Sequence, residues 1–126
     1  MTGSSTIAAD RLADFAASVY ASLGVPEPDA RLVADTLVQA DLWGHQSHGV
    51  MRLSWYAARI RSGVMKAVTQ PELVVDAAAI GVIDGHDGIG QVLTSYAMRD
   101  CDDDGRPVWR AHRERIRGQC ARALPV

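Results

Sequence analysis

Apolar side chains recur every three to four positions through the first part of the chain. Leu12, Phe15, Ala16, Val19, Tyr20 and Leu23 form one stripe, and that period predicts an amphipathic helix over about 9–23. Gly24 is placed to end it, because glycine takes the left-handed conformation of a helix C-terminus without strain. A second helix is predicted after Pro26, with Glu27 and Asp29 at its positive end. Ala30, Val33, Ala34, Leu37, Val38 and Asp41 share one face of it, and Gly44 closes it. Ser47 reads as the N-cap of a third helix that ends at Gly63 and is traced by Met51, Arg52, Tyr56, Arg59 and Ile60.

Beyond a loop containing Pro71 the period changes. Residues 72–76 and 79–84 are short β-branched and apolar runs that predict two strands. A turn with Gly85, Gly88 and Gly90 follows, then a helix over about 91–99. The predicted class is α+β: a three-helix N-terminal segment, two short strands and a helix. The pattern divides the chain into 1–63, 64–100 and 101–126. In the last stretch the run from Cys101 through Asp102, Asp103, Asp104 and Gly105 to Pro107 should break the preceding helix. Helical potential resumes at about 110–122 without a clean apolar stripe. This part holds half of the arginines and both cysteines.

At 126 residues the chain suffices for one modest domain. A formal charge of −2 gives no reason to expect nucleic acid or an anionic membrane as partner. No apolar run approaches the roughly 20 residues that span a bilayer. The start, Met1 to Thr6, has no basic segment leading into an apolar block, so no secretory signal is expected. Cys101 and Cys120 make no disulfide framework, and free thiols in a reducing cytoplasm are the default.

The densest chemistry lies between Asp41 and Tyr56. On a helix starting near Ser47, His48, Arg52 and Tyr56 fall at i, i+4 and i+8, which aligns an acid/base group, a cationic fork and a phenol. Arginine holds a carboxylate bidentately, and imidazole exchanges protons near neutral pH. The competing reading is a polar helix face with a capping serine and surface histidines. His45 and His48 stand at i, i+3, but no cysteine or carboxylate supports them at a ligand interval, so no metal is expected. The stretch 85–90 sits where a phosphate-binding turn would, between strand and helix, yet its glycine order is not G-x-G-x-x-G and a plain tight turn is the simpler reading. Met51 and Trp55 read as packing residues.

The run from Ala40 to Val50, with Arg52, Leu53 and Tyr56, resembles the signature of the malate/L-lactate dehydrogenase family, which is distinct from the Rossmann-fold lactate and malate dehydrogenases. Gly24-Val25-Pro26, the stretch from Ile83 through Gln91, and Ala97-Met98 add weaker matches, so the resemblance covers about residues 7–100. It implies interconversion of small 2-oxo and 2-hydroxy acids with NAD or NADP. His48 would exchange the substrate proton, Ser47 would orient it, Arg52 would bind the substrate carboxylate and Tyr56 would line the pocket. Members are homodimers, and residues 64–100 would open the cofactor-binding domain.

Family chains are two to three times longer, and the segment from Cys101 onward resembles nothing in them. The expectation is a truncated product, frameshifted near codon 100, because abundant arginine beside the single Lys66 suits an out-of-frame reading of a GC-rich gene. Such a chain should be inactive alone and should not hold the cofactor tightly. The rival readings are a non-catalytic helical interaction module and a small metal-binding protein using His45, His48 and His86.

Overall fold

The computed structural model describes residues 6–77, 80–104 and 110–112. The chain divides into two compact units, Met1–Arg61 and Ser62–Val126. The architecture is α+β, as the periodicities predict.

In the first unit, helix α1 (Ala9–Ser22) packs on helix α2 (Glu27–Leu42) through small side chains. Ala13, Ala16 and Tyr20 are buried from α1, and Ala30, Val33, Ala34, Leu37 and Val38 from α2. Alanines at the contact let two helix axes approach closely. The buried face of α1 is rotated from the one predicted: Phe15, counted as core, is 58% exposed. It stands two positions from Ala13, about 200° around the helix, so a stripe centred on Ala13, Ala16 and Tyr20 must turn it outward.

Both helices end in the same way. Gly24 has φ +88°, its N–H donates to Ala21 O, and the Val25 N–H donates to Tyr20 O. Gly44 has φ +79°, its N–H donates to Asp41 O at 2.9 Å, and the His45 N–H donates to Ala40 O at 2.8 Å. These are the paired bonds of a glycine-closed helix, which satisfy carbonyls that the helix leaves free. At the start of α2, Glu27 and Asp29 face the positive end, and Pro28 occupies the first turn, where a missing N–H costs nothing.

The third predicted helix needs correction. Instead of one α-helix from Ser47, the chain makes two tight 3₁₀ turns, Gln46–His48 and Val50–Arg52, before helix α3 (Leu53–Arg61). Gly49 separates the turns in an extended conformation, φ −87° and ψ −156°. The local bonds reach back three residues, from His48 N–H to His45 O, Gly49 N–H to Gln46 O and Arg52 N–H to Gly49 O. Ser47 is therefore not a helix cap, and His48, Arg52 and Tyr56 do not share one helical face.

In the second unit, strands β1 (Glu72–Ala77) and β2 (Ile80–Asp84) pair antiparallel, Glu72 opposite Asp84 and Ala77 opposite Ile80, with a bulge between Leu73 and Val75. Helix α4 (Gly90–Asp104) follows. Its inward residues Val92, Leu93 and Ala97 are buried, as are Met65, Ile83 and Ile89. The preceding loop is tied to the turn before α4: the Lys66 N–H donates to Asp87 O, and Thr69 Oγ1 accepts the Ile89 N–H at 3.0 Å.

Two further expectations fail here. The helix was to stop at about Arg99, broken by the run from Cys101, but α4 continues to Asp104. Aspartates are poor helix formers, not breakers, and proline enters only at position 107. Helical potential was read from residue 110, but Arg110–His112 is strand β3, which pairs parallel with β2 beside Val82, Ile83 and Asp84. An unpaired strand edge supplies hydrogen-bond partners that local propensity does not see. The rest of that proposed helix, and the frayed start at residues 1–5, lie outside the described residues. Among the described residues no helix is long and apolar enough to cross a membrane.

Candidate functional site

The close of α2 at Gly44 releases the chain into the two 3₁₀ turns, and these carry the chemistry. Ser47 and His48 are exposed at the end of the first turn, and Arg52 ends the second half-exposed. The Ser47 hydroxyl lies 3.0 Å from Nδ1 of His48. Arg52 Nε–H donates to the Ser47 carbonyl at 2.6 Å. These contacts join three of the four site residues that the sequence singles out, through backbone and side chain rather than along a helix face. Among the described residues, His48 Nε2 and the two terminal nitrogens of Arg52 have no hydrogen-bond partner.

The fourth residue enters through Trp55. The Arg52 guanidinium lies 5.0 Å from the centre of the Trp55 ring, and Arg59 lies 5.3 Å from the same ring. Both are within cation–π range. Tyr56 stacks on Trp55 with centroids 5.8 Å apart and an interplanar angle of 27°. Trp55 thus braces the guanidinium, and Tyr56 braces Trp55. Beneath them Tyr20 is fully buried, and burial first, with the neighbouring Tyr56 second, raises its phenol well above the usual range. Met51, read as a packing residue, is 68% exposed.

Asp41 is the residue that sequence reasoning placed on a packing face and left without a role here. Its Oδ2 accepts the Val50 N–H at 2.8 Å. A Cβ on Gly49 would overlap the same carboxylate. A signal was present: a carboxylate in the last turn of a helix opposes the helix dipole and calls for another partner.

The glycine-bearing turn at 85–90 is occupied by its own bonds. His86 and Asp87 have φ +44° and +63°, the sign pattern of a type I′ turn. The Gly88 N–H donates to Gly85 O, the His86 N–H to Asp84 Oδ1 and the Ile89 N–H to Thr69 Oγ1. His86 Nε2 is 2.8 Å from Glu72 Oε2 and Nδ1 is 3.6 Å from Asp84 Oδ1. A phosphate-binding turn must offer free amides, and these three are spent. Among the described residues no three histidine, cysteine, aspartate or glutamate side chains gather as a metal site.

A sequence profile described as malate/L-lactate dehydrogenase matches residues 7–105. The chain is 43% identical over 90 residues to a malate dehydrogenase of Pyrococcus horikoshii, covering 71% of this chain and 25% of that one. It is 40% identical over 80 residues to an L-sulfolactate dehydrogenase of Methanocaldococcus jannaschii, covering 64% and 23%. The solved structure of malate dehydrogenase from Pyrococcus horikoshii OT3 superposes with a TM-score of 0.75 at 39% identity, over 79% of this chain and 28% of that chain. The chain spans about a quarter of the length of the curated relatives it matches.

Proposed function

The chain belongs to the malate/L-lactate dehydrogenase family, and from that premise we propose that it forms the substrate side of a site interconverting a small 2-oxo acid and its 2-hydroxy acid with NAD or NADP. The observation that carries this reading is the linked trio: Arg52 Nε on the Ser47 carbonyl, and the Ser47 hydroxyl on His48 Nδ1.

Each residue has a part that follows from its free atoms. Arg52 spends Nε on the backbone and presents its terminal nitrogens to the substrate carboxylate, with Trp55 fixing the plane of the fork. His48, held at Nδ1 by Ser47, gives a proton from Nε2 to the carbonyl oxygen during reduction and takes it back in oxidation. Tyr56 lines the pocket. Bound nicotinamide would supply the hydride. In the turn at 85–90 the His86, Gly88 and Ile89 amides are already bonded within the protein, and no step is assigned to that turn. The same reading takes the working protein to be a cytoplasmic homodimer.

The test is binding of oxamate, an unreactive analogue of a 2-oxo acid, to the isotope-labelled chain. Saturable shifts at Arg52 Nε–H and the His48 ring are expected. Their absence, with the chain folded, would remove the reading. The alternative, a non-catalytic helical interaction module, draws on the exposed Leu42, Trp43 and Met51; concentration-dependent self-association without oxamate binding would favour it.

A further inference from the structure

Asp41 sits at the wrong end of its helix for its own charge. It is the second-to-last residue of α2, where the dipole is negative, and the last turn of that helix has no basic residue to offset it. Its carboxylate is used outside the helix. Oδ2 accepts the N–H of Val50, the first residue of the turn that carries Arg52. The first N–H groups of a helical turn have no partner within it, and one of them ordinarily donates a hydrogen bond to a capping side chain at the preceding residue. Here the preceding residue is Gly49, which has none, and it has none because the Asp41 carboxylate occupies the space a Cβ would need. Asp41 therefore caps this turn from nine residues away, at the hinge between the turn that ends in His48 and the turn that ends in Arg52.

We propose that Asp41 is a positioning residue that fixes His48 and Arg52 relative to one another. It has no contact with substrate in this scheme. The claim rests on the substrate-side reading above for its functional meaning, but its physical content does not. Without the Asp41 acceptor, Val50 N–H is left to solvent and the extended Gly49 is free to rotate. The Ser47–Arg52 bond then has no fixed hinge, and the two groups meant to meet opposite ends of one small acid lose their spacing. Loss of about an ångström in such spacing weakens productive binding substantially.

The experiment uses the full 126-residue chain, isotope-labelled, as wild type, Asp41→Ala and Asp41→Asn. Three readouts are taken: amide exchange at Val50, ligand-free shifts of Arg52 Nε–H and the His48 ring, and oxamate titration. Asp41→Ala should speed Val50 exchange at least tenfold, move the Arg52 and His48 signals, and weaken oxamate about tenfold, with α1 and α2 amides unchanged. Asp41→Asn keeps an acceptor oxygen and should restore most of all three. If Asp41→Ala does not fold, Asp41→Leu, a good helix former of similar size, serves in its place. Unchanged Val50 exchange and unchanged ligand-free Arg52 and His48 signals would overturn the proposal. Failure of the wild type to bind oxamate would instead defeat the substrate-side reading, and the ligand-free signals would still decide whether Asp41 positions the pair.

Discussion

The Ser47 hydroxyl stands 3.0 Å from Nδ1 of His48, which leaves Nε2 as the ring atom open to an outside partner. With Nδ1–H donating to the Ser47 hydroxyl oxygen, the protonated ring gives its Nε2 proton outward, and the neutral Nδ1–H tautomer left behind has the Nε2 lone pair that takes it back. Ser47→Ala should move the neutral His48 ring toward a mixture of tautomers, read from the two ring nitrogen shifts. When residues 7–104 replace the matching segment of the Pyrococcus horikoshii malate dehydrogenase, His48→Ala should lower kcat by about 10²–10⁴-fold. Wild-type turnover in that variant would place the proton transfer on another residue.

Arg52 should not tolerate lysine. Its Nε is committed to the Ser47 carbonyl and its guanidinium carbon lies over the Trp55 ring, 5.0 Å from the centre. Lysine keeps the charge but loses both the anchoring bond and the fork. A hydrogen bond to a charged group is worth about 1.5–3 kcal/mol, so Arg52→Lys should weaken oxamate by roughly tenfold to a hundredfold in calorimetric titration. Equal affinity would mean that the guanidinium acts only as a point charge.

How much of this was legible in the sequence depends on which force set each feature. The ends of α1 and α2 were readable because Gly24 and Gly44 encode them locally. The strands at 72–77 and 80–84 were readable as short runs of apolar and β-branched residues, but their antiparallel pairing was not read from them. The site residues were readable as a group, but not their arrangement. Ser47 looks like a cap and His48, Arg52 and Tyr56 like a helical row, whereas the extended Gly49 divides that row. What holds Gly49 is Asp41, nonlocal in sequence and therefore invisible to periodicity. The same holds for the Ile89 N–H, which Thr69 caps across 20 positions. The strand at Arg110–His112 is set by the free edge of β2, not by its own side chains.

Gly49 and Gly44 should fail differently when replaced by alanine. At Gly49 the backbone is extended and any residue adopts it, but the added methyl would overlap the Asp41 carboxylate. At Gly44 there is open space around the added methyl, but φ is +79°. Urea unfolding should show Gly44→Ala costing about 1–2 kcal/mol, the strain of a left-handed residue. Gly49→Ala should cost about 1–3 kcal/mol, typical of overpacking. The double variant Asp41→Ala/Gly49→Ala should lose less than the sum of its parts, because removing the carboxylate removes the overlap. Simple additivity would show that the Gly49 methyl meets something else.

The glycine-bearing turn should ignore the cofactor. Its His86, Gly88 and Ile89 amides are bonded within the protein. Titration of the labelled chain with NADH or NADPH should leave those three amide signals in place. Saturable movement of all three at micromolar cofactor would mean that the turn reopens to take a phosphate.

Tyr20 should limit stability in alkali. Its hydroxyl is buried with no hydrogen-bond partner among the described residues, a condition that costs about 1–3 kcal/mol. Tyr20→Phe should therefore be neutral or stabilising by about 1 kcal/mol at neutral pH. The same burial, with Tyr56 adding to it, raises the folded phenol above its usual value near 10. The sign follows from proton counts. Above about pH 10 the unfolded chain releases the Tyr20 proton while the folded chain keeps it, so the unfolded state binds fewer protons and stability falls as pH rises. The slope from this one group is about 1.4 kcal/mol per pH unit until the folded phenol itself ionises. Below the unfolded value nothing is lost. Urea midpoints measured from pH 8 to 11 should stay level to about 10 in the wild type and then drop, and the drop should be shallower in Tyr20→Phe. Parallel curves for the two proteins would show that the phenol finds a partner in solution and that the alkaline loss arises elsewhere.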